Sequence, residues 1–275
     1  MVFAPDPGAA PIARFPPDSV DSAAGRSAGA ASLTSDGARA CRGAPAGKDG
    51  NVKYGGSQEQ LQREIAAVAA RLIAEDGLDS GQARHRAAAE ILGASTRAGG
   101  ALPDQEQLEA ALREYLRVYK GEAHLTLLRE LRTLALEWMR ILAPFRPHLV
   151  GAVLNGSATE HSHLHLHLFT DSAKDVEMAL LDRGLDIRVG PADDGPPHAQ
   201  ERIGFLAPGA APAGGTPVLL TVLDTDALRS APGARARRQD PSLHPVERSG
   251  RATAQMVREL LDAPAGSAAT EALHA

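Results

Sequence analysis

Residues 153–169 read VLNGSATEHSHLHLHLF. An apolar run ends in a Gly-Ser pair, and a few residues later histidine stands at every second position. Side chains alternate faces along a strand, so His161, His163, His165 and His167 would share one face while Leu164, Leu166 and Leu168 share the other. Strict alternation of this kind predicts a strand buried on its leucine side. Successive histidines then sit roughly 7 Å apart, and the outermost pair roughly 20 Å apart. Two neighbours can close on one ion, with imidazole nitrogens about 2 Å from a zinc, whereas all four cannot. A tight site needs a further ligand, for which His148, His198 and Asp171 are candidates. Two blander readings compete with a metal site. One is a polar strip facing solvent. The other is adventitious uptake of soft metals, for which imidazole has a general affinity.

Upstream, HLVGAVLNG (148–156) reads as a buried strand, so two strands are expected to meet at the bend made by Gly156 and Ser157. Downstream, SAKDVEMALLDRG (172–184) has Ser172 as a helix cap, Val176, Ala179 and Leu180 as an apolar face, and Gly184 as a stop. LDIRV (185–189), ERIGFLA (201–207) and TPVLLTVLD (216–224) are further strands. Asp224 and Asp226 fall only at the end of the last one.

Four helical stripes precede this segment. SQEQ (57–60) is a capping box that predicts a helix starting at Ser57, with Leu61, Ile65, Val68 and Leu72 on one face and Gly77 as its stop. A second helix spans 80–92 before Gly93. Asp104 and Gln107 repeat the capping pattern ahead of Leu108, Ala111, Leu112, Tyr115 and Tyr119. A fourth, over 122–142, carries Leu125, Leu128, Leu131, Leu134, Trp138 and Ile141, and Pro144 and Pro147 close it. Apolar stripes mean burial, and all of these residues are expected in a core.

The expected fold class is α+β: a helical bundle (57–147) packed on a small mixed β-sheet domain (148–229). Residues 1–56, rich in Ala, Gly, Pro and Ser, read as a disordered extension. Residues 230–275 read as a basic linker, with Arg235, Arg237, Arg238 and Arg248, followed by a last helix over 248–261 and a frayed end.

Bulk properties exclude several classes. A net charge of −5 argues against a nucleic-acid-coating protein. The single cysteine, Cys41, permits no internal disulfide and no thiolate zinc cluster, which fits a reducing cytoplasm. No stretch reaches the roughly 18 apolar residues of a membrane span. The proline-broken start, MVFAPDPGAAPIARFPPDS, is not a secretory signal. GAPAGKDG (43–50) misses the phosphate-loop spacing and has Asp49 where a hydroxyl residue belongs. No Gly-x-Ser-x-Gly elbow accompanies Ser157.

Gly156-Ser157, followed by Ser162-His163-Leu164-His165-Leu166, resembles the signature of the polymerase-β-like nucleotidyltransferase superfamily. That signature is an apolar strand, Gly-Ser, a short connection, and Ser-Asp-apolar-Asp-apolar on the next strand. Longer runs, RLIAEDGLD (71–79) and APFRPHLVGAVLNG (143–156), resemble small bacterial proteins that carry nucleotidyltransferase-like labels and sometimes that of UDP-N-acetylmuramate–alanine ligase. The resemblance implies a nucleotidyltransferase-like sheet domain and a nucleoside triphosphate as partner. It implies that Gly156 and Ser157 hold phosphates, and that His163 and His165 stand at the two carboxylate positions. Asp224 is what this chain offers toward the third carboxylate. In the family, the carboxylates hold magnesium ions that clamp an in-line displacement. With imidazoles in their place the implied function is nucleotide binding with impaired or lost two-metal catalysis, and any divalent ion would be magnesium or zinc. Three alternatives stand beside it: a non-catalytic regulatory or interaction module, a transition-metal-binding histidine strand, and the ligase activity, for which no ATP-holding phosphate loop is present.

Overall fold

The computed structural model describes residues 53–93, 102–192, 196, 198–208, 215–229 and 243–263. Residues 1–52 of the expected extension, with Cys41 and GAPAGKDG, lie outside the described residues, as do Arg235, Arg237 and Arg238 of the linker and the expected frayed end from residue 264.

Helix α1 (Lys53–Asp76) starts before the expected cap, so Ser57 is an interior position. Helix α2 (Ser80–Leu92) starts where Asp79 accepts the Gln82 N–H at 2.8 Å. Helix α3 (Gln105–Tyr119) starts with the expected capping box: Asp104 accepts the Gln107 N–H at 2.7 Å, and Gln107 accepts the Asp104 N–H at 2.9 Å. Ile65, Ala69 and Leu72 of α1 pack on Ala83, Ala87 and Ala88 of α2 and on Leu108 of α3. Alanine on the facing side lets the helices approach closely.

Helix α4 (Gly121–Ile141) departs from the bundle expectation. Its buried residues Leu128, Leu131, Leu134 and Trp138 share a core with the sheet, not with α1–α3. Not every stripe residue is core. Leu125 is 45% exposed and Tyr119 is 70% exposed, stacked 4.5 Å from Tyr115.

The sheet contains β1 (His148–Val150), β2 (Leu164–Phe169), β3 (Arg188–Pro191), β4 (Ala199–Ala207) and β5 (Thr216–Leu223), in the order β1-β2-β5-β4-β3. β2 and β5 are parallel, and the other pairings are antiparallel. The predicted leucine face is the core: Leu164, Leu166 and Leu168 are each 0% exposed. Each contributes roughly 1.5–3 kcal/mol by leaving water. Helix α6 (Ala173–Leu181), capped by Ser172 as expected, brings Val176 and Leu180 to the same core.

The run expected as one strand over 148–156 breaks after Val150. Gly151 takes φ 73° and ψ −152°, a conformation essentially reserved to glycine, and residues 152–155 coil into a short helix, α5 (Ala152–Asn155). Gly156 ends α5 in the left-handed region at φ 81°. The last helix, expected from Arg248, starts at Ala254 as α8 (Ala254–Asp262), and a short helix, α7 (Pro245–Arg248), precedes it. The segment between them seals the edge of β1, where Leu149 and Ala252 exchange N–H···O bonds of 2.8 and 2.9 Å. Among the described residues no helix is long and apolar enough to cross a membrane.

Candidate functional site

The histidine run is not one strand face. Only His165 and His167 lie within β2, and His163 immediately precedes it. His161 sits in a turn with its ring against α1's end: a Cβ on Gly77 would stand 2.9 Å from the His161 ring. The His163 and His165 rings lie 5.9 Å apart between centroids, tilted by 42°.

Strand register separates the histidines of β2 into two rows. Val150, His165, Leu219 and Gly204 form one, and His148, His167, Thr221 and Arg202 the next. The second row is closed. His148 and His167 meet the Phe169 ring edge-on at 5.1 and 6.5 Å, and the Arg251 guanidinium lies 5.1 Å over that ring. Burial pushes His165 down to about 4, helped by His163, His167 and Arg202. Burial also pushes His167 down to about 4, helped by Arg251, His148 and Arg202. Both are neutral at pH 7.

The first row opens on a cleft of about 460 Å³ between α1–α3 and this end of the sheet. On the sheet side stand Gly151, Ala152, His161, His163, His165 and Leu219, and on the helix side Asp79, Arg84 and Glu109. Arg84 is held from behind: its guanidinium donates to the Ser80 carbonyl at 3.1 Å and the Pro103 carbonyl at 3.4 Å.

Gly156 and Ser157, expected to hold phosphates, have their polar groups bound inward, although Ser157 also lines the cleft. The Gly156 N–H donates to the Ala152 carbonyl. The Ser157 N–H donates to the Ala152 carbonyl at 3.1 Å and to Asn155 Oδ1 at 3.0 Å, and the Ser157 hydroxyl donates to the same Oδ1 at 2.7 Å. Helix α4 ties down the carbonyls here. His124 Nε2 donates to Gly156 O at 3.1 Å, and Arg132 donates to Val153 O at 3.1 Å and Leu154 O at 3.2 Å. Arg132 also pairs with Glu247 of α7 at 2.8 Å. His124 and Arg132 are each 8% exposed, and burial lowers the His124 pKa against the opposing effect of its bond to Gly156. The turn that directly follows β1 and lines the cleft is therefore Gly151-Ala152.

Sequence reasoning missed His124 and Arg132, but a signal was there. Positions 124, 128, 132, 135 and 139 fall on one helical face, so a histidine and an arginine interrupt a core stripe. Buried polar groups need partners, and backbone carbonyls near that face are the natural ones.

Asp224 does not reach this site. It follows Leu223, which pairs with Phe169, so it stands at the opposite end of β2 from His163, where Gln200 donates to its carboxylate. The β5 residue beside His165 is Leu219. The further metal-ligand candidates are also at the far end. His148 is in the closed row, the His198 carbonyl accepts the Asp224 N–H at 3.2 Å, and Asp171 accepts the Thr225 hydroxyl at 2.8 Å. Among the described residues no three of His, Cys, Asp and Glu converge to hold a metal ion. Compared with protein-family models, curated proteins and solved structures, the chain matches none.

Proposed function

We propose that the chain is a nucleotidyltransferase-like protein that binds a nucleoside triphosphate in the cleft and does not perform two-metal nucleotidyl transfer. The observation that carries this is the convergence of Gly151-Ala152, His163 and His165 on one cleft. Its volume, about 460 Å³, lies within the range of small-molecule sites. A strand, a glycine turn and then Ser162-His163-Leu164-His165 is the order that the superfamily signature has, with the phosphate-facing role moved from Gly156-Ser157 to Gly151-Ala152. Arg84 supplies a cation on the facing wall.

Two-metal transfer needs hard oxygen ligands, because magnesium keeps near-octahedral oxygen coordination. Here imidazoles stand at His163, just before β2, and at His165 within it, and Leu219 occupies the adjacent strand beside His165. Binding without transfer is the chemistry these residues support, and it suits a regulatory role.

Calorimetric titration and thermal unfolding with ATP, GTP, CTP and UTP test the reading. A ligand at 100 times its Kd stabilises by about 2.7 kcal/mol, so the unfolding midpoint rises with concentration, and no nucleotide is consumed. No shift with any of the four overturns it and leaves a ligand-free interaction module.

A further inference from the structure

We propose that His163 and His165 form a two-imidazole site for a borderline divalent transition ion, of which zinc is the type, with its remaining coordination positions open to the cleft. The rings already stand 5.9 Å apart at the cleft wall. Two imidazoles on one tetrahedral zinc place their ring centres roughly 5 Å apart, given nitrogen–zinc distances of about 2.0–2.1 Å. Binding would turn the two rings toward one ion to close that gap.

The surroundings select this pair over its neighbours. Val150, Leu219 and Gly204 flank His165 along its row, and none carries charge. Gly151 leaves space beside the ring: a Cβ there would lie 3.7 Å from His165 Nδ1. Arg202 acts on both His165 and His167, but His167 also feels Arg251, whose charge repels a dication, and its ring lies edge-on to Phe169. His161 is drawn away against Gly77. Nitrogen donors favour zinc, nickel and copper over magnesium.

Two protein ligands, one fewer than an open catalytic zinc site has, leave positions for water or a ligand oxygen, so uptake is weaker than at a three-ligand site. Only the identity of that outer ligand, a nucleotide phosphate, rests on the proposed function; metal uptake does not.

The test uses untagged full-length chain, stripped by chelator and titrated with zinc and with magnesium. The expected result is one zinc per chain and no magnesium uptake. His163→Ala and His165→Gln, each checked for native circular dichroism, weaken zinc binding by at least about tenfold. His161→Ala and His167→Gln leave it within about twofold, because neither side chain is a ligand. Zinc-edge absorption reports two imidazoles. No uptake, uptake that survives both His163→Ala and His165→Gln, or equal loss in His167→Gln overturns the inference. Nucleotide titrations in EDTA separate the two readings. Nucleotide bound without any zinc uptake sinks the metal site alone, and zinc bound without nucleotide sinks the ligand reading alone.

Discussion

Gly151 and Gly156 bracket α5, and both have positive φ, 73° and 81°. Their surroundings are opposite. At Gly156 the amides, the carbonyls and the neighbouring hydroxyl all have partners within the protein: Ala152, Asn155, His124 and Arg132. At Gly151 the chain enters α5, and the Gly151 carbonyl accepts the Leu154 and Asn155 N–H groups at 3.1 and 3.0 Å. That end lines the cleft. A glycine followed by a small residue therefore does not mark a ligand turn by itself. What separates the two is where their donors already go, and that depends on a helix about 20–30 residues upstream.

The closed end breaks hardest at Arg132. Removing one member of a buried ion pair costs about 3–5 kcal/mol, because the remaining charge and the freed carbonyls stay buried. Arg132→Ala should lower the unfolding free energy by that amount in urea denaturation, since the guanidinium serves Glu247, Val153 and Leu154 at once. A loss under about 1 kcal/mol, the range of an exposed ion pair, would mean that the closed end does not depend on α4.

A smaller effect separates the two ends directly. Gly151→Ala places a side chain in a glycine-only conformation, at a cost of about 1–3 kcal/mol, and fills the space beside the ring of His165 at the cleft wall. Nucleotide affinity should fall with it. Ser157→Ala removes one hydroxyl bond to Asn155, about 1 kcal/mol, and should leave affinity unchanged. Calorimetry on the two variants checks this. The reverse outcome, affinity lost in Ser157→Ala and kept in Gly151→Ala, returns the ligand to Gly156-Ser157.

Much of the helical structure was legible because helix ends are local chemistry. The Asp104/Gln107 box, Ser172 and the stop at Gly93 each act within one turn of their own sequence. The leucine face of β2 was legible for the same reason. The apolar run 148–156 was not: a short apolar stretch looks alike in a strand and in a buried helical turn, and the break at Gly151 is a backbone angle. His161 and His163 read as strand because alternation continued past the point where pairing stops. The distance from Asp224 to the site depends on β2 running parallel to β5, a pairing over about 50 residues that no local pattern encodes. Helix α7 had a signal that went unread, since His244, Pro245 and Glu247 make a capping box around a first-turn proline.

A pH response also engages both ends of α5. His165 and His167 have folded values of about 4, and burial lowers His124 at the closed end and His148 in the closed row. In the unfolded chain each titrates near 6.5. Below that value the unfolded state binds more protons than the folded state, so stability falls with pH. The contribution is complete above about pH 6.5 and declines until the folded groups take up protons near pH 4. His165 and His167 together account for about 2–4 kcal/mol by pH 5, from roughly 1.4 kcal/mol per unit. Urea denaturation of chelator-treated protein from pH 7.5 to 5 checks the slope. His167→Asn should flatten it by about half of that amount and His124→Gln by a further increment, because neither replacement titrates in this range. A slope unchanged in both variants would mean that these rings reach solvent on either side of α5, and the contrast between an open and a closed end would then rest on hydrogen bonds alone.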